Sequence, residues 1–194
     1  MVKLYTPISE ESIRDLRAGD RVSLSGRLVT ARDAAHKFMV EKRPDFIRPY
    51  LKDSLIYHCG PVVAKGGDGA WRFVSAGPTT SSREEPYEAD VIKEYQVRGV
   101  IGKGGMGDKT MDALIKYGAV YLHAIGGAGA LTAECVKKVS EVFMLEEFGS
   151  PEAFWIIEVE DFPLVVTMDS FGTSLHKEIE KSSSLKAKEL MLQS

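Results

Sequence analysis

Two cysteines, Cys59 and Cys135, are all that the 194-residue chain contains. They stand far apart and in no metal-ligand spacing, which excludes a disulfide scaffold and a cysteine metal site. No run of eighteen apolar residues occurs, so no membrane-spanning helix is expected. The opening MVKLYTPISEES has no apolar core of the kind a signal peptide carries. Positive charge is not in excess: the formal net charge of -3 argues against nucleic acid as a partner. No Gly-Lys-Ser/Thr ending marks a phosphate-binding P-loop. Together these absences leave a cytoplasmic protein without disulfides as the expectation. What is present is ordinary for a globular chain, with 44% hydrophobic and 27% charged residues. A chain of this length buries about 70% of its unfolded surface, enough for one domain without staples.

The pattern alternates strands and helices. A short strand at Lys3–Tyr5 precedes a small helix begun at Ser9, a good N-cap. Residues 17–20 (RAGD) form a turn, and Arg21–Thr30 alternates with Val22, Leu24 and Leu28 on one face, as a half-buried strand does. Asp33 is placed to cap a helix over Ala34–Glu41 that Pro44 helps to end. Ser54–Ala64 and Ala70–Ser75 read as paired strands joined by KGGDG. Helices are expected over Pro86–Tyr95, Asp108–Tyr117 and Leu131–Lys138. Strands are expected over Val97–Ile101, Ala119–Ile125, Val142–Leu145, Ala153–Val159 and Leu164–Met168. The alternation implies parallel sheet, and the hairpin-rich first half adds antiparallel pairing. From His176 on, the chain is polar and reads as a surface helix or frayed tail.

Chemistry is suggested by where cations sit. Arg32 follows a strand and precedes a helix, Arg83 ends the loop GPTTSSR after another strand, and Lys103 lies in IGKGGMG between a strand and a helix. Ligands of open α/β sheets bind outside the carboxyl ends of strands, where helix N-termini add N–H groups. A small dianion suits such a constellation, an Arg holding a carboxylate at two points and a Lys supplying a point charge. Gly102, Gly104 and Gly107 also form the dinucleotide fingerprint, but the next strand runs into HAIGGAGA without an acidic residue for a ribose. The glycines instead allow backbone approach to an anion beside Lys103. Thr79 and Thr80 sit in a hydroxyl-rich loop, and spacing does not choose between them. His36 is one turn into the helix after Arg32 and could face the same pocket. His58 and His123, in apolar strands, are expected to be satisfied core residues, and no catalytic triad can be inferred.

The loops ARDAAHK (31–37), GPTTSSR (77–83) and IGKGGMG (101–107) resemble signature loops of the C-terminal part of class I fumarases. YLHAIGGAGAL (121–131), LEEFGSPEAFWIIEVEDFP (145–163) and TMDSFGTSLHKE (167–178) are similar to it too, in order along nearly the whole chain. In this family, which includes the L(+)-tartrate dehydratase β subunits, the region is either fused behind a larger domain or a separate β subunit. The length and Met1 fit the latter. The resemblance implies an α/β swivelling domain, a β/β/α three-layer arrangement with mixed parallel and antiparallel sheets. It implies a hydro-lyase interconverting fumarate and L-malate, with tartrate dehydration as the alternative, and a non-catalytic dicarboxylate-binding domain as a second alternative. It implies a [4Fe–4S] cluster supplied by a cluster-bearing α subunit, with no metal ligand here. Matched motif by motif, Arg32, Arg83 and Lys103 contact the carboxylates of a C4-dicarboxylate, with Gly102 and Gly104 beside Lys103. Thr79 takes part in proton transfer. The chain departs from the family in placing Glu84 and Glu85 after Arg83.

Overall fold

In the computed structural model, which describes residues 1–192, strands form where apolar side chains point to both faces of a sheet. Among the described residues the strands are β1 (Val2–Tyr5), β2 (Arg21–Thr30), β3 (Leu55–Tyr57), β4 (Val62–Lys65), β5 (Trp71–Ser75), β6 (Gly99–Gly102), β7 (Val120–His123), β8 (Val136–Phe143) and β9 (Phe154–Met168). Leu55, Tyr57, Ile101, Val120, Leu122, Trp155 and Ile157 enter one core. Their neighbours Ile56, Val100, Tyr121 and Ile156 enter the other. Burial on both faces is what strands with covered faces require.

The main sheet has the order β1-β2-β3-β6-β7-β9-β8. Strands β1, β2, β3, β6 and β7 run parallel, and β9 is antiparallel to β2, β7 and β8. Because β9 pairs with β2 as well as β7, strands β2, β3, β6, β7 and β9 close on themselves. The second core lies beneath α2 (Asp33–Lys42), α3 (Arg48–Leu51), α4 (Glu85–Tyr95) and α5 (Asp108–Tyr117). The first is flanked by the small β4–β5 sheet, whose Trp71 meets Trp155 edge-on at 5.4 Å. Short helices α1 (Glu10–Arg14), α6 (Gly129–Glu134) and α7 (Leu145–Phe148) fill connections, and α8 (Leu175–Leu192) closes the described chain with no buried residue. No helix among the described residues is long and apolar enough to cross a membrane.

The α/β class and mixed pairing agree with the sequence pattern, as does the Ser9 cap, whose side chain accepts from Ser12 N–H. Several expectations need correction. Arg32, not Asp33, is the N-cap residue of α2, and Asp33 lies in its first turn. Ser54–Ala64 is two elements: β3 joins the main sheet in parallel, and only β4 pairs with β5. The helix expected over Leu131–Lys138 ends at Glu134, because Val136 onward pairs with β9. The two strands expected over Ala153–Val159 and Leu164–Met168 are one, β9, and the surface-helix reading of the tail holds through Leu192.

The long β9 needs a break in register where β2 passes it, between Leu24 and Gly26. Gly26 has φ +106°, and a Cβ there would lie 2.4 Å from Thr6 Oγ1 and 3.1 Å from the Thr6 backbone N and O. Gly26→Ala is therefore expected to lose about 1–3 kcal/mol of stability through backbone strain, read as a lower urea midpoint. An unchanged midpoint would show that Thr6 yields freely.

Candidate active site

Pairing continues past the strand ends. Ala31 N–H donates to Tyr57 O (3.1 Å), His58 N–H to Ile101 O (2.8 Å) and Ala124 N–H to Gly102 O (2.8 Å). The carboxyl ends of β2, β3, β6 and β7 thus form one rim that carries Arg32, His58, Lys103 and His123. The segment 79–81 is stitched into this rim: Thr79 N–H donates to His58 O (2.7 Å), Lys103 N–H to Thr79 O (3.2 Å) and Ser81 N–H to Lys103 O (3.0 Å). Thr79 and Lys103 are direct backbone neighbours. Beyond Lys103 the third Gly-rich loop closes in, since a Cβ on Gly126 would sit 3.5 Å from Lys103 Cδ. Gly104, at φ +86°, supplies the left-handed turn after Lys103.

The arginines occupy the neighbouring corner. Arg32 lies over Gly60, where a Cβ would meet its guanidinium at 2.4 Å, and its Nε is 3.4 Å from Glu152 Oε1. The other oxygen of Glu152 accepts the Ala34 N–H at 3.1 Å and so caps α2. Arg83 donates through Nε to Asp33 Oδ2 at 2.9 Å, with a second bond from Nη2, and so reaches the residue beside Arg32. Lys103 makes no ion pair among the described residues. On this rim, therefore, the two arginines stand beside internal carboxylates and Lys103 does not.

Acidic residues whose role local sequence does not reveal explain much of this placement. Glu85 accepts from Gly107 N–H (2.7 Å), Thr110 N–H (3.3 Å) and the Thr110 hydroxyl (2.7 Å). It fills the N-terminus of α5, where a dinucleotide pyrophosphate would bind, so the glycine fingerprint does not serve a nucleotide. Glu84 is fully buried. Burial, then its bond with Asp33, pushes its carboxyl up to about 8. Both Glu84 oxygens and Asp33 Oδ1 lack other donors, and a proton held by one Glu84 oxygen and shared with Asp33 pairs two of the three. Neither member of the acidic pair 84–85 faces a ligand as a free charge.

Under the rim lies a buried polar chain. Glu88 Oε2 is 3.0 Å from His36 Nε2 and 2.9 Å from His58 Nε2. His36 Nδ1 is 2.8 Å from Arg32 O, His58 Nδ1 is 2.9 Å from Ser81 Oγ, and Ser81 Oγ is 2.8 Å from Tyr121 Oη. All five side chains belong to fully buried residues. Burial opposes ionisation of Glu88, but the charge of His36 and the bonds from both histidines outweigh it and hold the carboxyl down at about 2. Burial likewise works against a charged His36, and Glu88 overcomes it and raises that pKa. His58 is shifted down by burial and stays neutral. Ser81, His58 and Glu88 have the composition of a hydrolase triad, yet Ser81 has no access to substrate and its hydroxyl is engaged on both sides. Gly102 is bare because a Cβ there would lie 1.9 Å from Ser81 Oγ.

The expectation for His58 as a satisfied core residue therefore holds, and His36 lies beneath the rim. His123 is corrected: it is half-buried, its Nδ1 has no partner among the described residues, and its ring stands 6.0 Å from that of His176. His176 bonds Thr167 Oγ1 at 2.9 Å and packs on Gly105. Glu84 and Glu88 stand four apart, so helical spacing alone puts them on one face of α4, but nothing in the sequence says that this face is buried. An iron–sulfur cluster does not fit this chain. Such clusters take three or four thiolates, whereas only Cys59 and Cys135 exist, and burial pushes the Cys59 thiol up to about 12.

An α/β sheet closed by β9, with Arg32 and Lys103 following its parallel strand ends, defines the class. The chain belongs to the family described as Fumarase C-terminus, whose pattern matches residues 1–179. It is 52% identical over 184 residues to a protein of Geobacillus stearothermophilus provisionally named fumarate hydratase class I, covering 94% of this chain but 35% of that relative. It is 42% identical over 181 residues to the L(+)-tartrate dehydratase subunit beta of Escherichia coli, covering 92% and 88% of the two chains. A similar protein of Methanocaldococcus jannaschii, provisionally given the same subunit name, is 41% identical over 190 residues, 96% of this chain and 97% of the relative.

The shared proton sets a pH dependence. Glu84 keeps its proton in the fold up to about 8, while the unfolded carboxyl loses it near its ordinary 4.5. Its contribution is thus complete below 4.5 and declines as pH rises toward 8. Glu84→Gln, whose amide donates to Asp33 without titrating, is expected to gain stability relative to the parent between pH 5 and 8, with no further change above. Parallel urea-midpoint curves for the two proteins would refute the shared proton.

Proposed function

We propose that this chain is the β component of a two-chain hydro-lyase that adds water reversibly to fumarate to give L-malate. The observation that carries this reading is the backbone stitching of Thr79 to Lys103 on the rim that also bears Arg32 and Arg83. A C4-dicarboxylate carries two charges. The guanidinium forks of Arg32 and Arg83 suit two-point contacts to its carboxylates. In the dehydration direction the C3 proton of malate leaves and negative charge grows on the adjacent carboxylate, where Lys103 stabilises it. The Thr79 hydroxyl relays that proton, and because a threonine is a weak base it needs an acid–base partner from another chain. Gly104 keeps the backbone beyond Lys103 open to the substrate, whereas the bare face of Gly102 is turned to Ser81 beneath the rim.

The family resemblance assigns a [4Fe–4S] cluster, and with two cysteines here its ligands belong to a cluster-bearing α subunit. We take residues 1–194 as one swivelling β/β/α domain, working in the cytoplasm against that subunit. The chain spans 35% of its fumarase-named relative, and the remaining length is where a cluster domain would lie. A second reading, the β subunit of an L(+)-tartrate dehydratase, is favoured by relatives of that name that match almost end to end. The two substrates differ by one hydroxyl.

Alone, the chain is expected to turn over none of fumarate, L-malate or tartrate. Combined anaerobically with the cluster-bearing chain it is expected to be active, and the preferred substrate chooses between the two readings. In the complex, Lys103→Ala should lower kcat about 100- to 1000-fold, as loss of one stabilising donor does. Turnover by the isolated chain equal to that of the complex would reject the two-part scheme. Replacing Cys59 by Ala and Cys135 by Ser should leave the iron content of the assembled complex unchanged. Iron loss from an intact complex would place a cluster ligand in this chain.

A further inference from the structure

We infer that His36, Glu88, His58, Ser81 and Tyr121 are positioning residues, a directional buried chain that sets the three rim loops against one another. The inference rests on the functional reading above and adds to it the device that holds the site in register.

Proton directions follow from the partners. His36 Nδ1 faces the acceptor Arg32 O at 2.8 Å and so carries a proton, and Nε2 lies in ion-pair range of Glu88 Oε2 at 3.0 Å, a buried carboxylate whose charge favours the imidazolium. The same Glu88 oxygen takes the Nε2–H of His58 at 2.9 Å, and His58 Nδ1 is then the acceptor for the Ser81 hydroxyl. Ser81 in turn accepts from the Tyr121 hydroxyl at 2.8 Å, where the chain ends. Each link fixes the direction of the next. The Nε2–Oε2 separations of 2.9 and 3.0 Å are shorter than the spacing of about 3.3 Å at which ligands on a four-coordinate zinc would stand.

The ends of the chain show its purpose. Glu88 lies on α4, His36 on α2 and Tyr121 on β7, all rigid elements. What they grip are loops, each beside a residue of the proposed site. The Arg32 carbonyl belongs to that residue itself, and Ser81 lies midway between Thr79 and Arg83 and ties in the third loop by donating its N–H to Lys103 O at 3.0 Å. Apolar side chains could fill this space and pack α2 against α4, but they would leave the loops free to slide. Hydrogen bonds to charged groups have direction as well as strength, so they specify loop positions that packing does not. A catalytic rim tolerates little slack, because a small misplacement of reacting groups costs turnover heavily.

The test has two arms. In the isolated full chain with 15N-labelled histidine, proton–nitrogen correlation at pH 7.5 should give His36 the doubly protonated pattern and His58 the Nε2–H tautomer. A neutral His36, or one equivalent of zinc or iron bound to the chain and lost in His36→Asn, would overturn the proposal. In the two-chain complex, Ser81→Ala and Tyr121→Phe each remove one hydroxyl and no charge. Each should lower kcat at least tenfold with KM changed less than threefold. The double variant should be no slower than the slower single, because both break one link. Parental kcat in both singles, or fully multiplicative losses, would overturn the inference. If the parental complex acts on none of the three substrates, the functional reading fails on its own account. The amide signals of Arg32, Thr79 and Lys103 in Ser81→Ala then decide the positioning role, and unmoved signals reject it.

Discussion

The pairing of β9 with β2 on one edge and with β8 and β7 on the other governs the architecture. Without it the parallel strands would lie in an open row, with Arg32 and Lys103 at separated places along one edge. Closure bends that row round, and the carboxyl ends of β2, β3, β6 and β7 become a rim that four loops can share. A strand of fifteen residues does this only by absorbing irregularities. Gly26 takes one on β2. On β9, Asp161 at φ +51° takes another, with its N–H bonded by Ser25 Oγ and its carboxylate by the Ser23 hydroxyl.

Beneath the rim, electrostatics are settled pair by pair. Taking charges out of water is costly unless each finds a partner, and each acid in this region has found one. Glu88 is matched by His36, Glu85 by the start of α5, and Glu84 by a proton. An apparent excess of acid next to the proposed anion site is thus neutralised internally, leaving cationic groups as the ones that face outward. The same acids tie helices to loops, so neutralisation and rigidity come from the same contacts.

Much of this was legible in the sequence, and the failures have identifiable causes. Alternation at Val22, Leu24 and Leu28 revealed β2, and cations after strands marked the rim. The stretch 54–64 misled because Leu55–Tyr57 is continuously apolar, as a strand buried on both faces must be, and the change of sheet after Cys59 leaves no local signal. Residues 131–138 have helical spacing, but pairing with β9 overrides propensity from Val136 on. The missing break in β9 is hidden by Asp161 and Pro163, which look like a turn until β2 is alongside. For the site, the loops could be recognised while the polar chain under them could not. Burial of Glu88 and His58 together is a property of α4 lying on the sheet, and it is invisible one residue at a time.

The arginines of the rim are already engaged, Arg32 near Glu152 and Arg83 with Asp33. On the proposed function, a substrate carboxylate docking there performs an exchange, replacing or sharing one anion with another, and the local charge balance is nearly the same before and after. Lys103 has no such placeholder. On that proposal, substrate binding changes the charge balance of the rim mainly at a single ammonium group. The proposed preference for a dianion over a monoanion is then concentrated at that one point.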